Sequence, residues 1–95
     1  MLLVSELWLA RLIFAIVAKT ENRKAILRHR KIIGDAIRQH RKKSDLTQEK
    51  LAELVDLNPK YLGEVERGEK IISIEALLRV AKTIRVPIKV FFRDV

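Results

Sequence analysis

The chain has 95 residues, 48% of them hydrophobic and 34% charged, with a formal charge of +8 and no cysteine. That length allows one small domain, excludes a disulfide framework or a thiolate metal site, and fits a reducing cytoplasm. The positive balance calls for a polyanionic partner, nucleic acid or an anionic membrane surface, without choosing between them.

Residues 1–18, MLLVSELWLARLIFAIVA, are apolar nearly all round, broken by Ser5, Glu6 and Arg11. A spanning helix needs about 20 mostly apolar residues. A charge near its centre, where Arg11 falls, costs about 2.5–3.5 kcal/mol, so a membrane is not the expected partner. A signal peptide wants positive side chains before its apolar core, and none precedes Leu7. The run is expected to be a helix buried against this domain or against a second copy. The alternative is an extension that does not belong to the domain.

Residues 19–31, KTENRKAILRHRK, hold six Lys or Arg against one Glu. Two readings stay open: an arm lying along phosphates or entering a minor groove, or a solvated helix or linker face. His29 has no partner at metal-ligand spacing. A first domain helix is expected over about Ile32–Lys42, with Ile33, Ala36, Ile37 and His40 at i, i+3, i+4, i+7 on its inner stripe. Gly34, inside it, costs roughly 1 kcal/mol relative to Ala.

The stretch Thr47 to Gly68, TQEKLAELVDLNPKYLGEVERG, predicts two short helices joined by a tight turn. Thr47 suits an N-cap, and Leu51, Ala52 and Val55 share one face. Asn58 suits the cap of the second helix and Pro59 its first position. Leu62 and Val65 then face inward, and Gly68 suits the left-handed residue that ends the helix. Ser73 is expected to cap another helix, with Ile74, Leu77, Leu78, Ala81 and Ile84 buried and Glu75 in its first turn. A last short helix follows Pro87 and carries Val90, Phe91 and Phe92. Exposed, the two aromatics would form an apolar patch that marks an interface; otherwise they close the core of the monomer.

Thr47-Gln48-x-x-Leu51-Ala52, Tyr61-Leu62 and Glu66-Arg67-Gly68, taken together, resemble the Xre/Cro/phage-repressor family of DNA-binding domains over about Ile32 to Val95. The resemblance implies an all-α, five-helix lambda-repressor-like helix-turn-helix domain at 32–95. Residues 1–31 would then be an extra N-terminal apolar helix and a basic linker or arm. It implies base reading from positions matching Asn58, Pro59, Lys60 and Glu64, and phosphate contacts from Gln48, Arg67 and Lys70. It also implies an Arg41–Glu66 ion pair and a homodimer formed through the region of Val90, Phe91 and Phe92.

The side-chain chemistry agrees with base reading. Lys60 can donate to guanine O6 and N7, Glu64 can accept from cytosine N4, and Tyr61 can touch a thymine methyl or a phosphate. Three departures from the family pattern stand out. Asp45 and Asp56 occupy turns that usually carry glycine, and Ile84-Arg85 replaces a Leu-Gly.

The function expected is a sequence-specific transcriptional regulator, a repressor acting as a homodimer on double-stranded DNA of the cytoplasmic nucleoid. Its alternatives are a controller of restriction–modification genes and an antitoxin that binds a toxin-like protein. No nucleophile–base–acid set, phosphate-cradling loop, metal site or cofactor site is expected.

Overall fold

The computed structural model describes residues 4–95. Its helices are α1 (Val4–Lys43), α2 (Gln48–Leu54), α3 (Pro59–Glu66), α4 (Ile74–Thr83) and a closing 3₁₀ helix (Ile88–Phe92). The first three residues of the apolar run lie outside the described residues.

The caps follow local chemistry. Thr47 accepts from the Lys50 amide at 3.0 Å, Asn58 from Lys60 at 2.8 Å and Ser73 from Ala76 at 3.1 Å. Each side chain satisfies one of the amides that a helix start leaves without an internal partner. The α-helix ends share one device, a single residue with left-handed φ. These residues are Asp45 (58°), Asp56 (56°), Gly68 (77°) and Arg85 (58°). The chain then folds back, so that the amides of Leu46, Leu57, Glu69 and Val86 return to the carbonyls of Arg41, Ala52, Glu64 and Ala81. Only Gly68 adopts this conformation without a steric penalty. Arg85 is exposed and has no such freedom. Arg85→Gly is therefore expected to stabilise the fold by about 1 kcal/mol. The check is a higher urea midpoint with an unchanged slope.

Two expectations about the N-terminal region are corrected. The apolar run is helical, but it is not a separate helix, and no linker follows it. A single helix of 40 residues runs through the apolar, basic and domain segments. The physical reason is composition. Between Val4 and Ser44 the one residue that disfavours helix strongly is Gly34, and proline is absent. Nor does the run pack on its own domain. Trp8 is 65% exposed and Phe14 74%, and the molecule measures 64 × 24 × 18 Å. Among the described residues the helices thus number four plus the 3₁₀ turn, in place of five and an extra one.

Close packing begins near Arg30. Its guanidinium donates to the Glu69 carbonyl at 3.2 Å, and the Lys31 backbone passes Gly68. The core joins Ile33 and Ile37 of α1 with Leu51, Ala52 and Val55, Leu62 and Val65, and Leu77, Val80 and Ala81 of α4. The buried stripe of α4 is Ala76, Leu77, Val80, Ala81 and Ile84, whereas Ile74 and Leu78 are 62% and 51% exposed. That stripe is rotated from the expected one: Ala76 and Val80 replace Ile74 and Leu78 on the inner face.

Phe91 is also a correction. It is fully buried in the core, with its ring edge-on to His40 at 5.9 Å. It therefore offers no surface to a partner. Phe92 remains 37% exposed and Val90 is half-buried.

Candidate nucleic-acid interface

Three helices are fastened at one point. The Arg41 guanidinium donates from Nε to one Glu66 carboxylate oxygen at 2.7 Å and from Nη2 to the other at 2.9 Å. Its Nη1 donates to the Leu46 carbonyl at 2.8 Å. The Gln48 amide completes the group by donating to Glu66 at 2.9 Å. Arg41 lies near the end of α1, Gln48 begins α2 and Glu66 ends α3, so one carboxylate sets the three relative to one another. Both charged side chains are nearly out of water, at 9% and 1% exposure. The fork geometry suits arginine and would not suit lysine. Hydrogen bonding to Glu66, joined by its charge, raises the Arg41 pKa above its ordinary value against the opposing effect of burial. Stability from this raised group is present throughout the neutral range and is lost only as pH rises through the raised value.

Gly34 sets a second close approach. A Cβ there would lie 2.2 Å from the Val65 carbonyl oxygen and 2.9 Å from that of Glu66. The backbone of α1 therefore rests on the last turn of α3, and the angle of α3 is fixed at the end that Glu66 anchors.

These supports leave the other side of α3 in solvent. Leu62, Gly63 and Val65 are buried, while Asn58, Pro59, Lys60 and Arg67 are exposed and Tyr61 and Glu64 half-buried. Lys60, Glu64 and Arg67 form one stripe by their spacing of four and three. Among the described residues the Lys60 ammonium has no ion-pair or hydrogen-bond partner. The rest of the stripe is engaged. Glu64 pairs with Lys70 at 3.4 Å, and Arg67 with Glu69 at 2.7 Å. The Asn58 carbonyl oxygen is held in the cap, which leaves its amino group free to donate, and the Tyr61 hydroxyl donates to the Ile71 carbonyl at 3.2 Å. Duplex DNA would exchange the exposed Arg67–Glu69 pair at small cost, since pairs of this kind are worth about 0–1 kcal/mol.

Beside the stripe lies a notch of about 220 Å³ lined by Arg38, Arg41, Gln48, Glu66 and Arg67. Arg41 and Glu66 neutralise each other there and Arg67 is paired with Glu69, so Arg38 supplies the unpaired positive charge of the notch. Arg38 is exposed and has no partner among the described residues. The sequence reading missed it. The available signal was its place about one turn before Arg41 and outside the inner stripe of Ile33, Ala36, Ile37 and His40. Among the described residues no group of three His, Asp or Glu could hold a metal ion.

Two short helices crossed over a tight turn, the second with a polar outer face beside a cationic notch, define a helix-turn-helix of the DNA-binding class. Comparison with known proteins agrees: the model of the helix-turn-helix family HTH_3 matches residues 37–91, more than half of the chain. The chain belongs to that family of DNA-binding transcriptional regulators. It is 34% identical over 55 residues to the control protein C.SmaI of Serratia marcescens, a match covering 58% of this chain and 66% of that protein. It is 36% identical over 58 residues to the control protein C.BamHI of Bacillus amyloliquefaciens, covering 60% and 72%. The crystal structure of the restriction-modification controller protein C.AhdI from Aeromonas hydrophila superimposes with a TM-score of 0.64 at 32% identity. That match covers 66% of this chain and 96% of C.AhdI. The chain thus spans just under two thirds of C.SmaI. No helix among the described residues is long and apolar enough to cross a membrane.

Proposed function

We propose that this chain is a sequence-specific transcriptional regulator that acts as a homodimer on a palindromic site in the cytoplasmic nucleoid. In the simplest case it represses by occupying a promoter. The observation that carries this reading is the solvent-facing stripe of α3, with an unpartnered Lys60 ammonium, beside the notch that holds Arg38 and Arg67. The stripe reads base edges, Lys60 at guanine and Glu64 at cytosine. Gln48, Arg67, Lys70 and Arg38 hold the phosphates and set register without carrying sequence information. In a homodimer two such stripes meet half-sites about 34–36 Å apart on one face of the duplex.

Selection of bound duplexes from a random pool tests the reading. A palindromic consensus supports it, and a failure to retain any duplex at low salt overturns it. Within that assay two substitutions separate the two kinds of contact. Lys60→Ala is expected to relax preference at one base pair per half-site, by about 1–3 kcal/mol. Arg38→Ala is expected to weaken all sequences about equally and to lower the slope of log affinity against log salt by about 1.

A narrower reading, control of restriction–modification genes, is favoured by the controller proteins among the relatives. It is checked by whether the selected sequence occurs upstream of a restriction or modification gene next to this one.

A further inference from the structure

The projecting half of α1 is too apolar to stand in water alone. Between Leu7 and Val17 eight large apolar side chains are 43–74% exposed. Side chains of this size, half exposed, leave on the order of 100 Å² each in water, or on the order of 800 Å² together. The largest apolar patch of a typical monomer is about 300–600 Å², and one partner of a standard interface contributes about 800 Å². A helix without tertiary contacts is also marginal by itself, so something holds this one.

Lipid is a poor fit. A helix lying on a membrane needs one polar face. Here Leu7, Trp8 and Leu9 are consecutive, as are Ile16 and Val17, and steps of about 100° carry them round every side. Spanning would bury Glu6 and Arg11 in hydrocarbon, and no helix among the described residues is long and apolar enough to cross a membrane. A helix that is apolar all round is instead covered by other helices. Charge allows that cover to be the same segment. Residues 6–18 hold one acid and one base, a sum of zero, while the basic stretch begins only at Lys19. Copies of 6–18 therefore meet without the repulsion that the whole chain, at +8, would bring.

We propose that residues 6–18 of α1 are a self-association surface whose occupant is the same helix of a second copy of this chain. The inference builds on the homodimer reading and says where the copies join. Phe91 is buried in the core, and Leu78, Phe92 and Val95 are 37–51% exposed, against 43–74% for the eight side chains between Leu7 and Val17.

The test is the mass of the full chain in solution, without DNA, at tens of micromolar. The result expected is twice the 11.0 kDa of one chain, or four times where a second pair covers the remaining sides. The double variant Leu12→Ala, Phe14→Ala keeps strong helix formers in place. It should raise the dissociation constant at least tenfold with an unchanged melting temperature of the domain. Leu12→Glu with Phe14→Glu should leave the single mass. A wild-type chain of single mass overturns the inference, as does single mass in solution with flotation on neutral or anionic vesicles. Doubled mass that survives both double variants but is lost in Phe92→Glu overturns it too, while leaving the homodimer itself standing. Sequence-specific DNA binding is judged separately, by the selected duplexes.

Discussion

Glu66→Gln is expected to be the most damaging conservative change in the chain, costing about 3–5 kcal/mol. The substitution keeps the shape of the side chain. It removes the negative charge and turns an amino group toward a guanidinium that already holds both oxygens at 2.7 and 2.9 Å. Arg41 is then a buried cation with no counter-charge, and one remaining carbonyl oxygen faces the three donors that two carboxylate oxygens accepted from, Arg41 Nε, Arg41 Nη2 and Gln48 Nε2. For a domain of this size each kcal/mol moves the melting temperature by about 4–8 °C, so thermal unfolding should fall by at least about 12 °C. A shift within measurement error would show that the pair is not structural. The accompanying double change to Arg41→Met and Glu66→Leu should recover most of the loss, because a buried pair replaced by apolar groups of similar volume is often neutral.

The second large effect is expected from the smallest side chain that can be added. Helix propensity alone would make Gly34→Ala stabilising by about 1 kcal/mol. Packing reverses the sign. The new methyl meets the Val65 carbonyl oxygen at 2.2 Å, and that neighbour is backbone, which cannot swing aside. Either α1 and α3 part by more than an ångström or the last turn of α3 deforms, at a cost of about 1–3 kcal/mol or more beyond the propensity gain. Because Glu66 lies on that same turn, the Arg41 fork opens as well. Gly34→Ala should therefore lower the urea midpoint and also weaken DNA binding through the tilt of α3. A rise in the midpoint would mean that the close approach is relaxed in solution.

The three α-helices after Thr47 were legible because each begins with a capping side chain whose chemistry is local. Thr47, Asn58 with Pro59, and Ser73 start helices at the positions their side chains dictate. The turn at Asp56 was legible for a related reason, since aspartate tolerates left-handed backbone better than most residues. The left-handed Arg85 was noticed only as a departure from a family habit. No property of arginine announces that conformation.

What could not be read depends on the surroundings. Periodicity gives an apolar stripe on α4, but Ile74 and Leu78 satisfy it as well as Ala76 and Val80 do. Only the space beneath the helix decides between them. Phe91 and Phe92 are adjacent and chemically alike, and the 3₁₀ twist sends one into the core and leaves the other partly exposed. Of the candidate reading surface, the identity of α3 and its outward positions came from the sequence. The engagement of Glu64 by Lys70 and of Arg67 by Glu69 did not, since these pairings rest on how the chain turns after Gly68. The basic stretch at 19–31 was read as arm, linker or helix with equal right, because charge density alone does not distinguish them.

The unbroken run of α1 has a mechanical consequence. A helix transmits direction as well as distance, so the apolar head and the helix-turn-helix are geared together through the turns between Ala18 and Arg30. One residue added there would advance the head by about 1.5 Å but swing it through about 100° of azimuth. Seven would bring it back to within about 20° of its original bearing. The count of residues in the basic stretch, more than their identity, sets the azimuth at which one molecule presents its helix-turn-helix relative to its head. A proline or a pair of glycines at that place would replace the gear with a swivel.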